Sequence, residues 1–173
     1  VVHAHDPLVG AGAPIFADPA MVELEELLER VARSTIPVLI TGESGAGKEV
    51  VAQAIHRRGA RADGPMRVLC GSAMPQDRVA EALFGHEAGA FEGAAEARDG
   101  LLVEARGGTL LLDAVDDLSS EAQGALLRAI EAHVVRRIGG DEDIPIDVRV
   151  IAATREDPAA LARSGRVRSD LLY

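Results

Sequence analysis

The sequence predicts an α/β domain in which helices cover both faces of a parallel sheet. Short, uninterrupted apolar runs recur at PVLIT (37–41), RVLC (67–70), TLLLD (109–113) and DVRVIAAT (147–154). A strand that lacks polar alternation is one buried on both faces, as in parallel sheets. Segments with helical spacing separate these runs, and strands that alternate with helices build a parallel sheet. The first run also passes through a glycine-rich turn straight into a helical segment.

Residues 1–17 (VVHAHDPLVGAGAPIFA) show no period and several Gly and Pro, so they read as a linker or arm, with 18–173 as the core. Asp18-Pro19 has the form of an N-cap followed by a first-turn proline. Leu24, Leu27, Leu28 and Val31 follow at i, i+3, i+4, i+7 and predict an amphipathic helix to about Arg33. KEVVAQAIHRR (48–58) is a second helix, with His56, Arg57 and Arg58 in its last turn, where cations complement the dipole. A helix near 76–83 precedes the loop FGHEAGAFEGA (84–94), which His86 and Phe91 are expected to shape. Ser120 and Gln123 can form a capping box for a helix through Leu126, Leu127 and Ile130. Asp157-Pro158 opens a short final helix. Cys70, at a strand end, reads as a small buried residue.

The 173 residues suit one domain, since domains commonly run to roughly 100–200 residues. A chain of that size buries about 70% of its unfolded surface, so it folds without a disulfide or structural metal. Its single cysteine excludes an internal disulfide and suits a reducing cytoplasm. No apolar run approaches the ~20 residues of a membrane span, and the N-terminus has no signal-peptide pattern. The formal charge of −10 repels phosphate backbones, and aromatics make up only 2%. Direct DNA binding by this segment is therefore not expected.

Gly42, Glu43, Ser44, Gly45, Ala46, Gly47, Lys48 and Glu49 form GESGAGKE, which fits the G-x-x-x-x-G-K spacing of a phosphate loop. Its glycines let successive N–H groups turn inward around a phosphate, and the following helix adds about half a positive charge at its start. Lys48 is a point charge for the outer phosphates. Glu49 stands where a Ser or Thr would ligate magnesium, which shifts that task toward Asp113 and water. Asp113 ends a buried strand at the carboxyl edge, where such sheets bind ligands. The expectation is an ATP–magnesium site.

GESGAGKE, ALFGHEAGAFEGA, GGTLLLD, RRIGG, DVRVIAAT and RVRSDLLY together resemble the central AAA+ domain of sigma-54-dependent transcriptional activators, the NtrC type. The similarity runs from about Asp18 to Tyr173, and that family also carries a glutamate after the loop lysine. The resemblance implies a three-layer P-loop core with strand order 5-1-4-3-2. Its fifth strand and helical lid would lie beyond Tyr173, leaving PVLIT as an apolar edge in this chain. It further implies a cytoplasmic ATPase that self-associates into a ring, usually a hexamer, and remodels RNA polymerase carrying sigma-54. The loop Gly89, Ala90, Phe91, Glu92, Gly93, Ala94 corresponds to the family's GAFTGA contact with sigma-54. Arg137 and Arg149 fall by position where inter-subunit arginines would complete a neighbour's ATP site.

Four positions depart from the family pattern. Glu92 replaces the loop threonine, adding a carboxylate that is expensive to desolvate on docking and altering the sigma-54 contact. Ala114 replaces the catalytic glutamate, and losing a positioned base typically costs about 10²–10⁴ in rate. Arg155 replaces a sensing asparagine, and Cys70 or Leu69 falls where a coupling asparagine belongs. Asp116 and Asp117 are the nearby carboxylates that could stand in for the missing base. The expectation is an ATP-binding AAA+ domain of a transcriptional regulator with impaired hydrolysis. The alternative is a hydrolysis-silent, nucleotide-dependent interaction or scaffold module. A small-molecule P-loop kinase lacks an acceptor motif here.

Overall fold

The computed structural model describes residues 19–172. The arm at 1–17 and the Asp18 cap lie outside them. In chain order the elements are α1 (Pro19–Arg33), β1 (Val38–Thr41), α2 (Lys48–Arg58), β2 (Met66–Cys70), α3 (Gln76–Phe84), β3 (Gly85–His86), β4 (Arg98–Asp99), α4 (Leu101–Glu104), β5 (Thr109–Asp113), α5 (Ser120–Ala132), β6 (Val134–Val135), β7 (Ile144–Pro145), β8 (Arg149–Thr154), α6 (Pro158–Ser164) and α7 (Ser169–Leu172).

The central sheet is parallel throughout, in the order β1-β8-β5-β2. Its strands, counted along the chain, stand first, fourth, third, second, which is the order the resemblance implies for them. β1 forms one edge, paired only with β8 among the described residues.

Side chains alternate between the two faces of the sheet because successive Cβ atoms point to opposite sides. Leu111, Ile151, Ala153, Val38 and Ile40 pack with Leu28, Ala52 and Ile55 of α1 and α2. Leu110, Leu112, Val150, Leu39 and Ala152 pack on the other face with Val79, Leu83, Leu102 and Leu126 of α3, α4 and α5. The continuous apolar runs are thus required by two cores, one on each side. Leu110, Leu111 and Leu112 are all fully enclosed, and burying such a side chain contributes about 1.5–3 kcal/mol.

Two local expectations are corrected. The N-cap of α5 is Ser119, not Ser120: its side chain accepts from the Ala122 N–H at 3.2 Å. Gln123 makes no capping box. Buried, it donates to the Leu118 and Arg166 carbonyls at 2.9 and 2.8 Å and accepts from the Arg168 N–H at 2.9 Å, which ties α5 to the segment before α7. His56 is not a dipole-complementing cation either. It is 7% exposed, and its Nδ1 lies 2.9 Å from the Thr109 hydroxyl. Burial, then the Arg57 charge, push the imidazole below its ordinary value of 6.5, with a Gly64 backbone hydrogen bond opposing, so the neutral ring is favoured. The Asp157 cap stands as expected, its side chain accepting from the Ala159 N–H at 2.6 Å with Pro158 in the first turn.

Candidate functional site

The chain leaves β1 at Thr41, and the Gly42 N–H donates to the Thr154 carbonyl at 3.2 Å, anchoring the loop to the end of β8. A turn closes where Ala46 N–H meets the Glu43 carbonyl at 3.2 Å, and α2 begins with Val51 N–H on the Gly47 carbonyl at 3.0 Å. Gly45 and Gly47 have φ of 80° and 79°, and a Cβ built on either meets nothing within 4 Å. Backbone conformation, not crowding, is therefore what calls for glycine there, and the loop faces open space. The Lys48 Nζ donates to the Gly42 and Glu43 carbonyls, both at 2.8 Å. Glu49 is exposed and accepts from Gln53 at 3.3 Å.

A crevice of about 380 Å³ adjoins the loop, lined by Ser44, Gly45, Gly47, Lys48 and Glu49, by Asp113 and Ala114 after β5, by Thr154 and Arg155 after β8, and by Ser72. A larger cavity of about 520 Å³ lies between β1 and α5, lined mainly by apolar groups such as Leu39, Leu112, Leu126 and Ile130. Phosphate needs N–H donors and cations, so the smaller, polar crevice is the candidate site.

Asp113 accepts from the Ala114 N–H at 3.1 Å through Oδ1, and its Oδ2 lies 3.9 Å from the Cys70 Sγ. The β2–β5 register pairs Cys70 with Asp113, whereas Leu69 is 1% exposed within the core. Cys70 is therefore the residue beside the aspartate. It is half-buried, not buried as expected, with the Ser72 hydroxyl 3.3 Å from its sulfur. Ala114 adopts a left-handed conformation (φ 57°, ψ 54°) and is 7% exposed. Such strain in a non-glycine residue costs of order 1–3 kcal/mol and clusters at functional sites.

Asp116 and Asp117 do not line the crevice. Asp116 is 5% exposed and holds the Arg166 guanidinium at 3.2 Å; Asp117 lies 3.6 Å from the same group. Arg166 also pairs with Glu156. These carboxylates neutralise a cation rather than face a ligand.

The loop from Gly89 to Ala94 is a compact turn. Gly89 N–H donates to the Ala94 carbonyl at 2.7 Å, and Ala94 N–H to the Phe91 carbonyl at 3.0 Å. Phe91 packs edge-on against His86 with ring centroids 5.0 Å apart and stays 37% exposed, while Glu92 is exposed. The contact of His86 with Phe91 agrees with the expectation that these two shape the loop.

Arg137 and Arg149, expected from the resemblance to serve a neighbouring subunit, make contacts within their own chain. Arg137 reaches Asp99 at 2.8 Å and Glu87 at 2.7 Å, clamping both stems of the loop. The hydrogen bonds it donates to Asp99 and then to Glu87 raise its pKa further. Arg149 is 4% exposed and donates to the Ala32 carbonyl at 3.1 Å and the Val31 carbonyl at 2.7 Å, capping the C-terminus of α1. Desolvation, then the Arg61 charge, lower its pKa. Sequence reasoning missed the clamp because Arg137 and Glu87 are 50 residues apart; the nearest local signal was the Gly139-Gly140 pair. Gly139 (φ 80°) sits so close to the loop that an added Cβ would fall 2.7 Å from the Ala90 Cβ.

A glycine-rich strand–loop–helix set opposite a strand-end aspartate, on a parallel sheet in this order, defines a core with the P-loop NTPase fold of the AAA+ class. Residues 15–173 match the Sigma-54 interaction domain, and the chain belongs to that family, the AAA+ domain of sigma-54-dependent transcriptional regulators. It is 45% identical over 174 residues to the transcriptional regulatory protein ZraR of Escherichia coli (strain K12), covering 99% of this chain and 40% of that protein. To the DNA-binding transcriptional regulator NtrC of Proteus hauseri it is 44% identical over 155 residues, covering 90% of this chain and 33% of that protein. The crystal structure of NtrX from Brucella abortus in complex with ATP superposes with a TM-score of 0.81 at 37% identity, over 90% of this chain and 33% of that one. The P-loop NTPase domain of a sigma-54 transport activator from E. coli shares the fold at a TM-score of 0.61 and 22% identity, over 89% of this chain and 87% of that one. The chain thus spans 33–40% of the length of these two curated relatives. Among the described residues no helix is long and apolar enough to cross a membrane.

Proposed function

We propose that this domain binds ATP with magnesium in the crevice of residues 42–49, and that it serves a cytoplasmic, ring-forming regulator that engages RNA polymerase carrying sigma-54. The observation that carries the reading is the loop itself: two left-handed glycines open to free space, an adjacent ammonium, and a helix N-terminus behind them. Those groups suit a polyphosphate, and Asp113, with Glu49 alongside, suits the magnesium that would accompany it. Bound magnesium would supply charge neutralisation on the phosphates. The solved ATP and ADP complexes of NtrX support nucleotide as the ligand.

The loop 89–94 is the proposed sigma-54 contact. Exposed Phe91 offers apolar surface, and Glu92 adds a charge that weakens or redirects docking. Impaired hydrolysis is the second part of the proposal. Ala114 lacks a base, and Asp116 and Asp117 are engaged by Arg166 away from the crevice lining. Turnover is then slow, and nucleotide acts mainly on shape and assembly, which is also the content of the scaffold reading.

One experiment separates these parts. ATP binding by calorimetry, with Lys48→Ala as control, should be clear in the unaltered protein and at least tenfold weaker in the variant. Phosphate release should be near background and rise about 10²-fold in Ala114→Glu. Brisk release by the unaltered protein would refute the slow-turnover part, and absence of ATP binding would refute the whole.

A further inference from the structure

We infer that Arg166 is a positioning residue for the cation end of the crevice, its guanidinium fastening together the two turns that follow Asp113 and Thr154. The inference rests on the nucleotide reading above.

Two walls of the crevice are made by backbone that is leaving the sheet. Asp113 and Ala114 stand at the end of β5, Thr154 and Arg155 at the end of β8, and all four line the site. The ladder between these strands stops at Asp113 and Ala153, so side chains must fix what comes after.

Arg166 makes that connection. Its guanidinium meets Asp116 at 3.2 Å and Asp117 at 3.6 Å in the turn after β5, and Glu156 in the turn after β8. Each turn is tied to its own strand end. The Asp117 N–H donates to the Ala114 carbonyl at 3.0 Å, and the Glu156 N–H to the Thr154 hydroxyl at 3.2 Å. The arginine is anchored as well: Gln123 donates to the Arg166 carbonyl at 2.8 Å and to the Leu118 carbonyl at 2.9 Å. The turn after β5 is thereby bracketed between α5 and Arg166.

Burial makes the pairing with Asp116 obligatory. The Asp116 side chain is fully enclosed, and its Oδ1 has no hydrogen-bond partner among the described residues. A buried carboxylate stripped of its cation is strongly destabilising, so the turn stays where Arg166 holds it. An exposed pair would impose no such constraint. Magnesium sites demand near-ideal octahedral geometry with ligands at about 2.0–2.1 Å, whereas the phosphate loop is fixed by its own backbone and by Lys48. A turn free to shift would therefore lose the cation's share of binding and spare that of the loop.

The test titrates ATP into the chain by calorimetry, once with magnesium and once with EDTA. Magnesium should tighten ATP binding at least tenfold in the unaltered protein. The double variant Asp116→Asn with Arg166→Gln keeps the net charge and buries no unpaired ion, so a thermal melt should show it folded. In it the magnesium increment should fall to threefold or less, with magnesium-free ATP binding within twofold of the unaltered protein. Arg166→Lys, which keeps the charge and loses the fork, should lie between. An unchanged increment in both variants, equal weakening with and without magnesium, or no increment in the unaltered protein would each overturn the inference while ATP binding stood. Absence of ATP binding under both conditions would overturn it together with the reading beneath it.

Discussion

Replacing Arg149 with methionine is the perturbation that best tests how this chain is held together. Its guanidinium is 4% exposed and donates at 3.1 and 2.7 Å to the last carbonyls of α1. Hydrogen bonds to charged groups contribute about 1.5–3 kcal/mol each, so the pair is worth roughly 3–6 kcal/mol. Removing the arginine also relieves a buried charge whose Nε has no partner, and methionine fills much of its volume. A net loss of about 2–4 kcal/mol follows. In a domain of this size that is a fall in Tm of roughly 5–15 °C. Arg149→Lys keeps the charge but not the fork, and should fall between. The assay is urea and thermal unfolding of the monomer without nucleotide. An inter-subunit arginine would leave the isolated chain's stability untouched, so a Met variant within about 0.5 kcal/mol of the unaltered protein would refute the capping argument.

Two further outcomes are expected. Because burial holds the folded His56 below the 6.5 of the unfolded ring, the unfolded state binds the extra proton; its contribution to stability is complete above about pH 6.5 and is lost as pH falls through the folded value. The unaltered protein should thus lose more stability than His56→Gln between pH 7 and 5.5, measured by urea midpoints, and parallel curves would contradict the assignment. Gly139→Ala forces a left-handed alanine whose Cβ would lie 2.7 Å from that of Ala90, so a loss of about 1–3 kcal/mol is expected. Hydrogen exchange should quicken at the Gly89 and Ala94 amides and not in β5; unchanged exchange at the loop would show that the glycine contact does not hold it.

Much of this domain could be read from residue order alone, because the determining interactions are local. Uninterrupted apolar runs such as TLLLD demand burial on both faces, and the spacing of Gly42, Gly47 and Lys48 specifies a turn that only glycine-rich backbone adopts. Strand positions, the phosphate loop and the sheet-edge aspartate were legible for that reason. The roles of charged and polar side chains were not, since they depend on partners far along the chain. Arg149 meets the end of α1 across 117 and 118 residues, and Arg137 meets Glu87 across 50. Burial of His56, seating of Asp116 on Arg166 and the choice of Cys70 over Leu69 as the neighbour of Asp113 likewise arise only when strands pair and helices dock. Desolvation and ion pairing act through space, and a spacing rule carries no information about which distant group will arrive.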